Sequence, residues 1–186
     1  DTTKFLDKDF SLEAIKPRMN EFNIVHLATH AAFVPGKPED SFILFGNGDR
    51  PTLRDIESWT LNNVDLVVLS GCETGIGGKF GNGEEILGLG YQFQSRGAKA
   101  AIASLWAVND GGTQALMDVF YAKLKQGNLT KAEALRQAQI ALITSSQDSA
   151  GKQRSSIEIE ALPSNVSDKL SHPYYWAAFI LIGNGL

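Results

Sequence analysis

Five short apolar runs punctuate the chain, and four of them are apolar on both faces that a strand would present. A strand with one wet face alternates polar and apolar residues. A run that does not alternate must be covered on both sides, as in the interior of a largely parallel sheet. The runs are Ile24-Val-His-Leu-Ala-Thr29, Phe42-Ile-Leu-Phe45, Asp65-Leu-Val-Val-Leu-Ser70, Ala100-Ala-Ile-Ala-Ser-Leu105 and Ala177-Ala-Phe-Ile-Leu-Ile182. Between them lie segments of helical period at about 11–21, 53–58, 84–96, 111–126 and 130–146. Gly97 and Gly127 predict stops for the third and fourth helices, and Thr130 with Glu133 predicts a capping box opening the fifth. Strands alternating with helices define an α/β chain.

The 186 residues suffice for a single domain, 1–186, with a sizeable core, and no internal repeat divides it. The stretch from about 145 to 171 differs in character, being rich in Ser, Gln, Asp and Lys. It reads as a long surface excursion between the last helix and the last strand, and the weak alternation in Ser156-Ile-Glu-Ile-Glu160 suits a small hairpin. Excursions of that length are usually functional or mobile.

Charge and length exclude several classes. Lys plus Arg number 17 against 21 for Asp plus Glu, a formal net charge of −4, so the chain lacks the basic field that nucleic-acid binding needs. Its longest apolar run, Trp176-Ala-Ala-Phe-Ile-Leu-Ile182, is far short of the roughly 20 residues that span a bilayer, so no membrane partner is expected. One cysteine makes no internal disulfide, and no secretory signal is present, so a reducing, cytoplasmic setting is expected. The chain begins at Asp1, which is expected of a piece of a longer protein.

In open parallel sheets, ligands collect at the carboxyl ends of strands. After the first strand comes Thr29-His30-Ala31-Ala32, after the central one Ser70-Gly71-Cys72-Glu73, and after the fourth Trp106-Ala-Val-Asn-Asp110. If the first and third strands are parallel neighbours, His30 and Cys72 come within reach of each other. A histidine beside a cysteine takes its proton, and the thiolate is the nucleophile. The plain alternative is that Cys72 is an inert, buried small hydrophobe. Gly71 allows a sharp turn, after which the Cys72 amide faces an oxyanion with a second donor near His30. Asp110 either caps the next helix or supplies a carboxylate for a basic side chain. The aromatic cluster His172-Pro-Tyr-Tyr-Trp176 is expected to open the last strand and pack under the sheet.

Other motifs fail on inspection. Gly75-Ile-Gly77-Gly78-Lys79-Phe80 has Phe80 where a dinucleotide fingerprint needs glycine, and Glu73 where a P-loop needs one. His26 and His30 have the spacing of a zinc helix, but Leu27 stands at the glutamate position; on a strand the two would share a face. Ser70 lacks the glycine frame of a nucleophile elbow, because Val68 stands where the first glycine belongs.

Several blocks together resemble the CHAT domain, a member of the caspase-like cysteine peptidase group that includes separase and the gingipains. They are His26-Leu-Ala-Thr-His30-Ala, Leu69-Ser-Gly-Cys-Glu-Thr-Gly75, Gly83-Glu-Glu-Ile-Leu-Gly-Leu89, Ser104-Leu-Trp-Ala-Val-Asn-Asp110, Phe120-Tyr-Ala-Lys-Leu124, Ala134-Leu-Arg-Gln-Ala-Gln139 and His172-Pro-Tyr-Tyr-Trp-Ala-Ala-Phe179. The resemblance implies a caspase-like three-layer sandwich with a largely parallel central sheet. It implies His30 as the dyad histidine, Cys72 as the nucleophile, and the backbone amides of Ala31 and Cys72 as the oxyanion hole. The run holding Trp106 and Asp110 is similar to a separase segment lining the primary specificity pocket, which implies a preference for Arg or Lys before the cleaved bond. Ala31 stands where the group usually has glycine after the histidine, and Gly71 where alanine is common before the cysteine.

The expected function is therefore a cysteine endopeptidase acting on protein substrates without metal or organic cofactor. The resemblance also implies tetratricopeptide repeats upstream in the same chain, as in bacterial and often cyanobacterial relatives, regulating the peptidase. The rival expectation is a latent or non-catalytic caspase-like interaction module.

Overall fold

The computed structural model describes residues 2–32, 34, 37–72, 84–106, 108, 110–144 and 169–186, without the side chains of Cys72 and of 84–89. The surface excursion expected at 145–171 thus lies outside the described residues except for its last three positions, as does the glycine-rich segment 75–83. The chain divides into two compact units, Asp1–Ala107 with Ile182–Asn184, and Val108–Leu181 with Gly185–Leu186.

The strands are β1 (Ile24–Ala32), β2 (Phe42–Ile43), β3 (Leu66–Cys72), β4 (Ala100–Ser104) and β5 (Phe179–Gly183), and they form one sheet in the order β2-β1-β3-β4-β5. β1 pairs parallel with β3 and β3 with β4, while β2 runs antiparallel to β1. This is the mixed, α/β arrangement with a parallel centre that the non-alternating runs predict. Leu66, Val67, Val68 and Leu69 are at most 1% exposed, and Ala100, Ala101, Ile102 and Ala103 are fully buried. Side chains on both faces of these two strands are therefore removed from water, which is what fixes them at the centre of the sheet. β1 behaves differently. Val25 and Leu27 are buried while Ile24, His26 and Ala28 are exposed, so its first half has one dry face.

The short helices of the first unit follow local chemistry. Ser11 accepts a hydrogen bond from the Ala14 amide at 3.2 Å and opens α1 (Leu12–Ile15). The helix expected to 21 stops early and tightens into 3-10 turns over Lys16–Glu21, because Pro17 brings no N–H to the ladder. Thr52 and Asp55 form a reciprocal capping box at the start of α2 (Leu53–Ile56). α3 (Glu84–Ser95) ends as expected at Gly97, whose φ of +109° suits glycine. The Gly97 amide donates to Gln94 O at 2.9 Å and the Ala98 amide to Phe93 O at 3.1 Å, a Schellman closure. Phe93 is fully buried, its ring 6.3 Å from that of Trp59.

The second unit holds α4 (Asp110–Lys125), α5 (Lys131–Ile143) and α6 (Pro173–Trp176). Gly127, at φ +74°, follows α4 as predicted. Leu116, Phe120, Ala134, Ala138 and Leu142 are fully buried and supply much of this unit's core. Two expectations are corrected here. Thr130 accepts from the Glu133 amide at 3.2 Å, but the Glu133 carboxylate does not return to the Thr130 amide; Arg136 Nε at 2.8 Å and Gln137 Nε2 at 2.8 Å take its oxygens instead. Those donors hold the carboxyl down at about 2. The aromatic cluster at 172–176 does not open the last strand. His172 Nδ1 accepts from the Tyr174 amide at 3.2 Å and Pro173 occupies the first turn, so the segment forms α6. Its aromatic rings are half-buried or, for Tyr174, 42% exposed, rather than core.

Candidate active site at the β1 and β3 ends

The parallel pairing of β1 and β3 sets the geometry. Ile24 to Leu27 lie opposite Leu66 to Leu69 in step, and then the register shifts so that His30 lies opposite Gly71 and Ala31 opposite Cys72. Adjacent strands are about 4.8 Å apart, so the backbones carrying His30 and Cys72 are neighbours at one end of the sheet. The condition stated for the sequence, that the two strands be parallel neighbours, is met. His30 is exposed.

β1 spends three steps between Leu27 and His30 where β3 spends two between Leu69 and Gly71. That is a β-bulge, with one extra residue on β1. It overturns the expectation that His26 and His30 share a face. Their partners, Val68 and Gly71, are three apart on β3 and so lie on opposite faces.

Gly71 is likewise not a turning point. β3 continues through it to Cys72. A Cβ at position 71 would press into the Thr29 carbonyl, 2.8 Å from its carbon. The glycine is required by this close approach of the bulged strand. Thr29 donates from Oγ1 to Leu44 O at 2.5 Å, and the Leu44 amide donates to His30 O at 2.8 Å.

His26 Nε2 lies 2.8 Å from Ser70 Oγ, in a hydrogen bond whose donor depends on the imidazole tautomer. Desolvation pulls this imidazole from 6.5 to about 4. The side chain is nonetheless exposed by area, so the direction stands while the energetic effect is small. The unfolded chain binds a proton here between pH 6.5 and 4 that the folded chain refuses. The contribution to stability is therefore intact above about 6.5 and declines as pH falls towards 4. The melting temperature of His26→Gln should fall less than wild type between pH 7 and 4.5; parallel curves would remove His26 from the acid response.

The remaining candidates are spread over the two units. Ala31 is 3% exposed and pairs with Ile43 on β2 as well as with Cys72 on β3. Trp106, just past β4 in the first unit, is half-buried. Asp110 belongs to the second unit and is the exposed first residue of α4. There its charge faces the positive end of the helix dipole, which gives it a structural role close to the capping alternative. Glu73 lies outside the described residues. Among the described residues no three His, Cys, Asp or Glu side chains gather as metal ligands, and no helix is long and apolar enough to cross a membrane.

An α/β sheet with parallel central strands, carrying a histidine and a cysteine on adjacent strand ends, is the framework of a caspase-like peptidase fold. The chain matches the CHAT domain model over residues 1–184 and belongs to that caspase-like family. No curated protein matches it.

Proposed function

We propose that the chain is a cysteine endopeptidase in which His30 and Cys72 form the catalytic dyad. The observation that carries this reading is the β1–β3 register, His30 opposite Gly71 and Ala31 opposite Cys72, in a chain of a caspase-like family. His30 takes the Cys72 proton, and the thiolate attacks the scissile carbonyl carbon. Backbone amides of Ala31 and Cys72 receive the oxyanion. The C–N bond then breaks, with His30 delivering its proton to the leaving amine and Cys72 left as a thioester. Water, deprotonated by His30, hydrolyses the thioester and frees the carboxylate. Asp110, with Trp106 beside it in sequence, is the proposed determinant of an Arg or Lys before the cleaved bond. Repeats upstream in the same polypeptide are the proposed regulator, and a reducing cytoplasm the proposed setting, because the nucleophile must stay a free thiol.

The test is mass-spectrometric labelling with peptidyl acyloxymethyl ketones bearing Arg, Lys, Asp or Asn next to the warhead. The expected result is adduction of Cys72 by the two basic probes and its loss in His30→Ala. No adduct from any probe, with Cys72 still open to a small alkylator, would favour a latent or binding-only module. Equal labelling by acidic and basic probes would remove Asp110 from specificity.

A further inference from the structure

β2 is only two residues long, and a strand pair that short is marginal on its own in water. It nevertheless lines the end of β1: Ala31 and Ala32 pair with Ile43 and Phe42, and the Leu44 amide donates to the His30 carbonyl at 2.8 Å. A return leg closes it from the outer side, with the Ile43 amide donating to Pro51 O at 3.1 Å and the Phe45 amide to Asp49 O at 2.8 Å. Its anchors are Ile43 and Phe45, both at most 1% exposed. The Phe45 ring is covered by that of Phe10, stacked on it with centroids 4.6 Å apart. The Phe10 carbonyl also accepts from the Gly46 amide at 2.8 Å.

Gly46 makes room for this N-terminal arm. Its φ is not positive, so the chain does not need glycine's conformational freedom at this point. A Cβ there would press into the Asp7 carbonyl, 2.8 Å from its carbon. Asp7 itself takes φ +49°, a left-handed turn that aspartate tolerates better than most residues. Otherwise the arm is lightly held. None of Asp7–Asp9 is buried, Phe10 is half-buried, and farther out the Arg18 guanidinium lies 5.5 Å from the centre of the Phe5 ring. A segment with so few buried contacts opens at low cost.

We infer that Asp7–Phe10 is a strap: docked on Phe45 and Gly46, it holds β2 against the strand end that carries His30, and its release loosens that end. The coupling itself is carried by main-chain pairing. As a means of regulating the proposed peptidase, it rests on the reading of His30 as the dyad base.

Amide hydrogen exchange on the full chain tests this in two variants. Phe10→Ala removes the stacked ring, and Gly46→Ala puts a methyl in the way of the Asp7 carbonyl. In each, the amides of position 46 and of Leu44 should exchange about 10- to 100-fold faster than in wild type, while those of Val68 and Ile102 at the sheet centre keep their rates. Alkylation of Cys72 by the arginyl ketone should slow by about 10-fold in both. Faster exchange at 46 with Leu44 unchanged would overturn the inference, as would unchanged exchange at both or equal acceleration at Val68 and Ile102. Wild-type alkylation rates alongside faster Leu44 exchange would overturn the regulatory role. If wild type itself is not alkylated, the peptidase reading falls, and the exchange pattern still decides whether the strap holds β2.

Discussion

In Cys72→Ala, cleavage of an arginyl peptide substrate should fall to background, a loss on the order of 10⁴- to 10⁶-fold, with cooperative unfolding retained. The magnitude follows from the chemistry proposed. Without the sulfur there is no covalent intermediate, and His30 is left with nothing to deprotonate except water. Binding of substrate should survive, because backbone and pocket groups hold it independently of the nucleophile. The experiment therefore reads cleavage and substrate binding separately. Cleavage lost with the Kd for substrate nearly unchanged is the expected pattern. Cleavage retained by the variant would end the assignment of Cys72, whatever the reactivity of the wild-type thiol.

Gly71→Ala should damage both stability and the dyad. The added methyl would meet backbone rather than a flexible side chain, 2.8 Å from the Thr29 carbonyl carbon. Backbone contacts do not swing aside, so either β3 or the bulged part of β1 must shift. Overpacking of this kind costs about 1–3 kcal/mol. The melting temperature should drop by several degrees, and Cys72 alkylation by the arginyl acyloxymethyl ketone should fall further than the lost stability explains, because the displaced segment carries His30. A variant as stable and as reactive as wild type would show that β1 relaxes freely, and the bulge would then fix nothing. The result bears on a departure visible in the sequence: glycine stands at 71 where alanine is common in similar peptidases, and the Thr29 carbonyl gives that glycine a physical cause here.

Features set by neighbouring residues were legible before the structure. The runs 66–69 and 100–103 lack alternation because both faces are buried, and Gly97 and Gly127 stop helices because each takes a positive φ. The strand-end positions of His30 and Cys72 follow from the same local patterns. What was not legible depends on pairing between distant segments. Nothing within Leu27-Ala-Thr-His30 announces an extra residue, since a bulge is defined only against the partner strand. Two elements differ from the local patterns for physical reasons: Pro17 tightens the end of the helix expected over 11–21, and His172 with Pro173 starts a helical turn where the last strand is expected to open. The roles of Asp110 and Trp106 rest on similarity of a short run, and the fold gives Asp110 a helix-terminus function of its own.

The bulge and its glycine also act on the way to the native state. A slip of β1 by one residue along β3 would bring the Thr29 carbonyl against Ser70 or Cys72, both of which carry a Cβ where Gly71 has none. The same slip would turn Val25 and Leu27 out of the dry face and leave Ile24 and His26 in their place. Misaligned chains are thus rejected twice over, by collision and by lost burial. Against a slip of one residue, the pairing free of both penalties is the one that sets His30 opposite Gly71.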